Sequence, residues 1–371
     1  MYGNPHELGF NQEIDISVVI LSEIKNIIED SGLNAEFRID SKNIWNDVVK
    51  QGRNVPFYYI ELEVDYQTVV FKYLSDSSTD ISLVLFHNKL PCGVWPLVLD
   101  INDKEPIKSI NNQYGGVVLP PLFIENFPKK SQRKVVKSCI EFLNKLLDIS
   151  GGECWRIDEE ALDGGISQWC QIALEKGAML DKVSYMMRLD LSMSIEEIRK
   201  YIRKSYRPLI SSGQKKWTVS VMDEYCEDTW NKFRALHKTV AGRVTRSIDS
   251  WNIQHQTIKN GDAFLVYILN SEGVMVGGGY FVMSSYQCHY SVGSYDKRFS
   301  DQPLGHMIQY QAILTMKEKG RKTYLIGYRF YKENLPFVTE KQVHLSHFKQ
   351  GFSSQIFPKV GLYFHSQKSC K

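Results

Sequence analysis

Apolar residues in the second half of the chain recur first with helical and then with alternating spacing. Ser194-x-x-Glu197 is a capping box before evenly spaced isoleucines, which predicts a helix that stops near Pro208. Alternation then predicts a strand at Lys216–Met222. The rest of the pattern predicts two helices, a meander of three strands, a helix, a strand, a helix and a closing pair of strands: Cys226–Val240, Ser250–Asn260, Ala263–Leu269, Val274–Met283, Gln287–Tyr295, Met307–Met316, Thr323–Ile326, Lys341–Lys349 and Phe352–Phe364.

The first half of the chain repeats much of this order more faintly. The elements predicted there are helices near Ile44–Val49 and Phe57–Tyr73, strands at Ile81–Phe86, Gly93–Leu99 and Ile110–Leu119, a helix around Val135–Leu147, a strand at Cys154–Ile157, a helix at Ser167–Glu175 and a strand at Ser184–Leu189. Two similar units in tandem indicate an old duplication. We therefore expect an α/β protein with a mixed sheet, divided into residues 1–183 and 184–371.

Composition and charge narrow the classes of function. The 371 residues carry 45 Lys and Arg against 42 Asp and Glu, so the net charge of +3 creates no strong field for nucleic acid or anionic lipid. No apolar run approaches the ~20 residues of a membrane span, and the first ten residues show no targeting signal, so we expect a cytoplasmic protein. Seven scattered cysteines without CxxC, and histidines without HExxH, predict no metal site.

Two short segments carry a family resemblance. Gln302-Pro303-Leu304-Gly305-His306-Met307 resembles the pyrophosphate loop of the GNAT acyltransferase superfamily, with Met307 in place of the last small residue. His347–Phe352 resembles the superfamily's aromatic-x-x-x-Gly-Phe segment. With the duplicated element order, the chain is similar to the tandem, Fem-type branch, and within it to bacterial nucleotide-sugar N-acyltransferases acting on dTDP-linked amino sugars.

This resemblance implies two tandem GNAT-like domains, of which only the second holds the acyl donor. It implies acyl-coenzyme A as co-substrate, 3-hydroxybutanoyl or acetyl being the group transferred, and a nucleotide-linked amino-deoxy sugar as acceptor. We expect a monomer or weak dimer, because the duplication already supplies a two-lobed cleft. The residues assigned to the donor are Tyr290, Ser291, Val292, Gly293, Lys297, Arg298, Gln302, Leu304, Gly305, His306 and Met307.

The chemistry gives some of these residues a physical reason. A helix N-terminus at Leu304 offers free N–H groups to linked phosphates, and Gly305 lets the backbone approach them closely. The family implies that Tyr290–Ser294 splays from its neighbouring strand and lends its amides to the thioester carbonyl. Gly293 suits a bulge there. A plain loop-to-helix turn and a glycine that relieves crowding are the structural alternatives.

The general base is left open among four groups, His237, His289, Asp296 and His347. Alternation along the strand places His289, Ser291 and Gly293 on one side, so His289 reaches a substrate if that side faces the cleft. His237 lies beside an apolar helical stripe, where a histidine is more often a satisfied core group than a base.

Acceptor binding is predicted on another surface. Arg243 and Arg246 are spaced to grip a diphosphate, and Trp251 to stack on a base; a solvated basic turn beside a core tryptophan is the alternative. The further cleft candidates are Tyr114, Gly115, Tyr328 and Arg329. Two rival functions remain: a Fem-type transferase that uses aminoacyl-tRNA to build peptidoglycan bridges, and a tandem binding protein without catalytic activity.

Overall fold

The computed structural model describes residues 16–75, 78–102, 105–111, 117–150, 154–160, 165–334 and 337–365. The α-helices in these ranges are α1 Ile16–Asp30, α2 Lys42–Gln51, α3 Glu61–Ser75, α4 Lys129–Ser150, α5 Gln168–Glu175, α6 Ile195–Tyr201, α7 Tyr206–Lys216, α8 Glu227–Ala241, α9 Ile248–Lys259, α10 Leu304–Glu318 and α11 Glu340–Gln350. The strands are β1 Ala35–Phe37, β2 Ser78–Asp80, β3 Leu83–His87, β4 Leu90–Trp95, β5 Val98–Asn102, β6 Glu105–Asn111, β7 Leu122–Phe123, β8 Cys154–Glu160, β9 Met179–Asp190, β10 Val219–Met222, β11 Ala263–Leu269, β12 Met275–Met283, β13 Gln287–Tyr295, β14 Thr323–Tyr328 and β15 Gln355–His365.

A large mixed sheet organises the molecule. Its order is β10-β11-β12-β13-β14-β9-β15-β8. Neighbouring strands are antiparallel except β13 and β14, which run parallel. Two smaller sheets, β1-β3-β4-β7 and β2-β5-β6, lie in the first half of the chain. The predicted mixed α/β fold is therefore confirmed.

The two faces of the large sheet carry different helices, because successive side chains of a strand point to opposite faces. On one face α6, α7 and α10 pack against residues such as Phe264, Phe281 and Tyr324. On the other face α8 and α9 pack against residues such as Leu265 and Val282. The core of the first half is built around α1, α4 and α5 and reaches the large sheet through β8 and β15.

Several predicted element bounds are wrong. Pro208 lies in the first turn of α7, where proline is tolerated because that turn's N–H groups have no partner within the helix. Lys216 therefore ends a helix, and the strand begins only at Val219. Phe57–Tyr73 divides into a short 3-10 helix, Phe57–Tyr59, and α3. The closing strand pair is the single strand β15.

The strand predictions in the first half also need correction. Gly93–Leu99 covers parts of two strands, β4 and β5, which belong to different sheets. The predicted strand Ile110–Leu119 corresponds to the end of β6, to residues 112–116 outside the described ranges, and to residues 117–119, which form no strand. β9 runs through position 183 and pairs with β14 and β15. The division at 183/184 thus falls inside a strand, and the domain limits stay a prediction.

Candidate active site

The parallel strands β13 and β14 diverge at one point of the large sheet. Gln287, Cys288 and His289 pair with Thr323, Tyr324 and Leu325, and the pairing ends there. A cavity of about 600 Å³ opens beside this divergence, lined by both strands, by α11 and by residues of the first half of the chain. The predicted splay of Tyr290–Ser294 is therefore present, and we call this cavity the cleft.

A β-bulge lies inside the diverging part of β13. Tyr280 of β12 pairs with Val292 while the next residue, Phe281, pairs with Tyr290, so Ser291 is the extra residue. Beyond the bulge the alternation is shifted by one residue, so the expected common face of His289, Ser291 and Gly293 is wrong for Gly293, whereas His289 and Ser291 both line the cleft. A Cβ at Gly293 would overlap the hydroxyl of Tyr290, so this glycine makes room for a tyrosine and is not itself the bulge.

His289 lies in the wall of the cleft. Its ring stacks on Phe57 with centroids 4.7 Å apart, and its Nδ1 donates to the Leu325 carbonyl over 3.0 Å. Burial, and then the nearby Lys349 ammonium, lower the pKa of His289 to about 4. The imidazole is therefore neutral at pH 7, and its Nε2 is left as an acceptor.

Lys349, near the end of α11, is a cleft residue that the sequence analysis missed. Its Nζ lies 5.0 Å from the centre of the Tyr290 ring and 3.5 Å from the position of a Cβ on Gly327. Gly327 has φ +123°, a backbone conformation that side chains rarely adopt, and its missing side chain leaves this space to the ammonium. Burial lowers the pKa of Lys349 to about 8, and no carboxylate of the described residues forms an ion pair with it.

Strands β8 and β15 contribute three carboxyl groups and one lysine to the cleft lining. Tyr328 donates from its hydroxyl to Asp158 Oδ2 over 3.1 Å, and Lys359 Nζ lies 3.7 Å from the same oxygen. Glu160 also lines the cleft, and burial raises its pKa. Tyr58 from the first half of the chain closes this end. The cleft thus has a cation at the strand divergence and carboxylates at its far end.

The predicted pyrophosphate loop is tightly packed and does not line the cleft. Leu304 and Met307 are buried, and a Cβ at Gly213 of α7 would overlap the sulfur of Met307. The Phe348 ring lies 3.2 Å from the position of a Cβ on Gly305, and His306 packs edge-on against Tyr206 at 4.4 Å. No side chain caps this helix end, yet aromatic rings surround its first turn. Donor binding at this loop stays a prediction.

Most of the other donor candidates are held by local contacts. Gln302 accepts from Lys216 Nζ over 2.8 Å. Asp296 caps the short 3-10 helix Lys297–Phe299 and forms a 2.7 Å ion pair with Arg298, which lowers the pKa of the carboxyl. Asp296 thus has a structural task and lies outside the cleft lining, as does Val292, which is buried beneath α8.

The remaining base and acceptor candidates are spread over several places. Tyr328 lines the cleft, whereas Arg329 is held by Gln350 at 2.7 Å and by Ser346 at 3.2 Å. His347 is exposed on α11, 3.5 Å from Arg329. Tyr114 and Gly115 lie outside the described residues.

A second cavity, of about 350 Å³, lies at the turn between α8 and α9 and brings together His237, Arg243, Arg246 and Trp251. Trp251 is only 6% exposed, with Trp230 at 5.6 Å, His237 at 5.1 Å and the Arg246 guanidinium at 4.8 Å from its ring. This packing leaves little of the indole for a base. We call this cavity the basic pocket.

Comparisons with known proteins place the fold. No family model matches the chain, and no curated protein matches it. Among solved structures, FemX aligns with a TM-score of 0.62 and 14% identity over 81% of this chain and 91% of its own. The C-terminal domain of a putative lysylphosphatidylglycerol synthetase from Agrobacterium fabrum aligns with a TM-score of 0.56 and 11% identity over 88% of this chain and 92% of its own. L-PGS from Bacillus licheniformis aligns with a TM-score of 0.53 and 12% identity over 92% of this chain and 91% of its own. At these identities the similarity shows the fold alone, which this chain shares with FemX, with the putative lysylphosphatidylglycerol synthetase domain and with L-PGS.

Proposed function

We propose that this protein is an acyltransferase that joins an acyl group to an amine inside the cleft. The observation that carries the proposal is the divergence of β13 from β14 with a partly buried lysine, Lys349, beside it. Backbone groups of diverging strands are free to bind a substrate, and a cation without a carboxylate partner can stabilise a developing negative charge. The similarity to FemX supports the same class of reaction.

The residues of the cleft suit each step of such a transfer. The amine nitrogen attacks the acyl carbon, a C–N bond forms, and the carbonyl oxygen takes a negative charge. The ammonium of Lys349 stabilises that charge, and most Lys349 side chains are protonated at pH 7 because their pKa is about 8. The C–O or C–S bond of the donor then breaks, and the leaving group takes the electron pair. The extra proton of the nitrogen passes to water or to the Nε2 of His289.

We propose acyl-coenzyme A as the donor and a nucleotide-linked amino sugar as the acceptor. The unpaired first-turn amides of α10 support the donor assignment, although neighbouring rings crowd them. The acidic end of the cleft, with Asp158 and Glu160, supports the acceptor assignment, because carboxylates attract the ammonium form of an amine before it reacts.

The Fem-type alternative is favoured by two observations of its own. FemX aligns with this chain with a TM-score of 0.62. The packed N-terminus of α10 leaves little space for linked phosphates. In that case the donor is an aminoacyl-tRNA, and an ester replaces the thioester. The chemistry of the cleft is unchanged.

A donor panel separates these possibilities. The purified protein is incubated with a set of acyl-CoAs or of aminoacyl-tRNAs, each with a set of nucleotide-linked amino sugars, and the mass of the amine product is measured. Acylated product from acyl-CoA supports the preferred proposal, and product from aminoacyl-tRNA alone supports the Fem-type one. Binding of the acceptor without product from any donor supports the non-catalytic alternative.

A further inference from the structure

The basic pocket differs in charge from the rest of the molecule. It is lined by Arg234 and Lys238 of α8 and by Arg243 and Arg246 of the turn, together with His237. None of its described lining residues is an Asp or a Glu. In a chain whose net charge is only +3, these cations are therefore concentrated in one concave place.

Two polar atoms of this lining have no partner among the described residues, although they are buried. They are the Nε of Arg234, a donor, and the Oγ1 of Thr245, a hydroxyl that can donate. Buried polar atoms are normally hydrogen-bonded, so two such atoms in one cationic cavity indicate that an acceptor completes it. A phosphate oxygen is an acceptor that also pairs with Arg and Lys.

Arg246 connects the basic pocket to the cleft, because it lines both cavities. Its Nη1 donates to the Tyr66 hydroxyl over 3.0 Å, and its guanidinium lies over the Trp251 ring. These contacts hold the guanidinium in one place before any ligand arrives. A ligand with phosphate in the basic pocket can therefore extend past Arg246 into the cleft.

We propose that the basic pocket binds the phosphate or diphosphate of a small-molecule substrate whose reacting end lies in the cleft. The location of the reacting end in the cleft rests on the proposed function, whereas the binding of phosphate in the basic pocket does not. A concave pocket of about 350 Å³ suits a compact oxyanion better than an extended nucleic acid. Four side chains provide the cations. Arg243 and Lys238 are exposed at the rim, and Arg234 and Arg246 lie deeper inside.

Binding of inorganic pyrophosphate tests the site without any acyl donor. Isothermal titration at low salt compares the wild type with the double variant Arg243→Gln, Lys238→Gln, and with Lys130→Gln on α4 as a control that removes an exposed charge elsewhere. We expect binding about tenfold weaker in the double variant and unchanged in the control, since charge-assisted hydrogen bonds are lost only in the first. Equal affinities in all three proteins, or no binding to the wild type, would overturn the proposal.

Further titrations identify the source of the phosphate. Tighter binding of a nucleoside diphosphate than of coenzyme A assigns the basic pocket to the acceptor, and the reverse order assigns it to the donor. Binding of tRNA without binding of pyrophosphate would overturn the proposal in favour of an RNA surface. Because pyrophosphate binding needs no transfer, a protein that binds it but acylates no amine retains this site while losing the proposed function.

Discussion

At the scale of single residues, Lys349 determines the pH dependence that we expect. Its pKa of about 8 means that the ammonium is lost as the pH rises above that value. Transfer by the wild type should therefore fall at alkaline pH. In Lys349→Arg the guanidinium stays protonated, so the alkaline fall should disappear.

The measurement is the rate of amine acylation between pH 6 and 10 for the wild type, Lys349→Arg and Lys349→Gln. Below pH 8 the neutral Gln variant should be about 100-fold slower than the wild type, as when one stabilising group of an oxyanion is removed, and the difference should narrow above that pH as the wild type loses its charge. An alkaline fall that persists unchanged in the Arg variant would assign it to another group.

Gly293 offers a second residue-level prediction. A Cβ there overlaps the hydroxyl of Tyr290, which is hydrogen-bonded to the Tyr295 hydroxyl at 2.9 Å. Gly293→Ala should therefore destabilise the protein by about 1–3 kcal/mol, the usual cost of overpacking.

The control is a second variant that removes the atom with the largest overlap, the Tyr290 hydroxyl oxygen, and leaves the lesser overlap with the ring carbon Cζ. Tyr290→Phe in the Gly293→Ala background should recover much of the lost free energy of unfolding in urea. If the double variant is as unstable as the sum of the two single variants, the overlap with the Tyr290 hydroxyl is not the cause.

At the scale of elements, α3 contains a buried carboxyl. Glu63 is 6% exposed, accepts from Gln67 Nε2 over 2.7 Å, and burial raises its pKa to about 8. The folded protein keeps this group protonated up to that pH, while the unfolded chain ionises it near 4.5. Its contribution to stability is therefore complete below about pH 4.5 and is lost as the pH rises towards 8.

Glu63→Gln removes this titration and keeps the oxygen that accepts from Gln67. The variant should be more stable than the wild type by a margin that grows from pH 5 to pH 8 and reaches a few kcal/mol. Urea unfolding at pH 5, 6.5 and 8 measures it, with the exposed Glu23→Gln as control. A margin that is constant across these pH values would show that Glu63 does not titrate in this range.

The elements also show what the sequence could and could not predict. The sequence pattern predicts β11, β12 and β13 within about one residue, because β13 alternates in burial and turn residues bound the almost fully buried β11 and β12. The bulge at Ser291 has no local signature, since it depends on the register with β12. In the sequence Pro208 predicts the end of a helix, but proline is equally suited to the first turn of one, and that is where it lies in α7.

The residues of the candidate site could also be predicted only in part from the sequence. The family resemblance predicts the splay of β13, and the cleft contains five residues of the predicted set: Arg246, His289, Tyr290, Ser291 and Tyr328. Lys349 is not among the predicted site residues, although it lies inside the segment His347–Phe352 that carries the family resemblance. Its position between an aromatic residue and the glycine was the available signal, but only the fold shows that it meets Gly327 across the strand divergence.

At the scale of the whole molecule, the cleft depends on both halves of the chain. Ser284 donates to the Val55 carbonyl over 2.5 Å, and Arg246 donates to Tyr66. Pro56, Tyr58 and Tyr59 from the first half complete the wall opposite β13. Residues of the two halves therefore line one cleft. Within the described ranges no helix combines the length and apolar composition that a membrane span requires.

The most direct test of that account is to fill the cleft at the strand divergence. Ser291→Trp places an indole beside His289 and Lys349, whereas Ser212→Trp places one on the exposed surface of α7 as a control. Amine acylation is measured by product mass with the donor that the panel identifies, together with the melting temperature of each variant. The account predicts a loss of about 100-fold or more for Ser291→Trp, with the fold retained and the control unaffected. Acylation at the wild-type rate by a folded Ser291→Trp protein would contradict it.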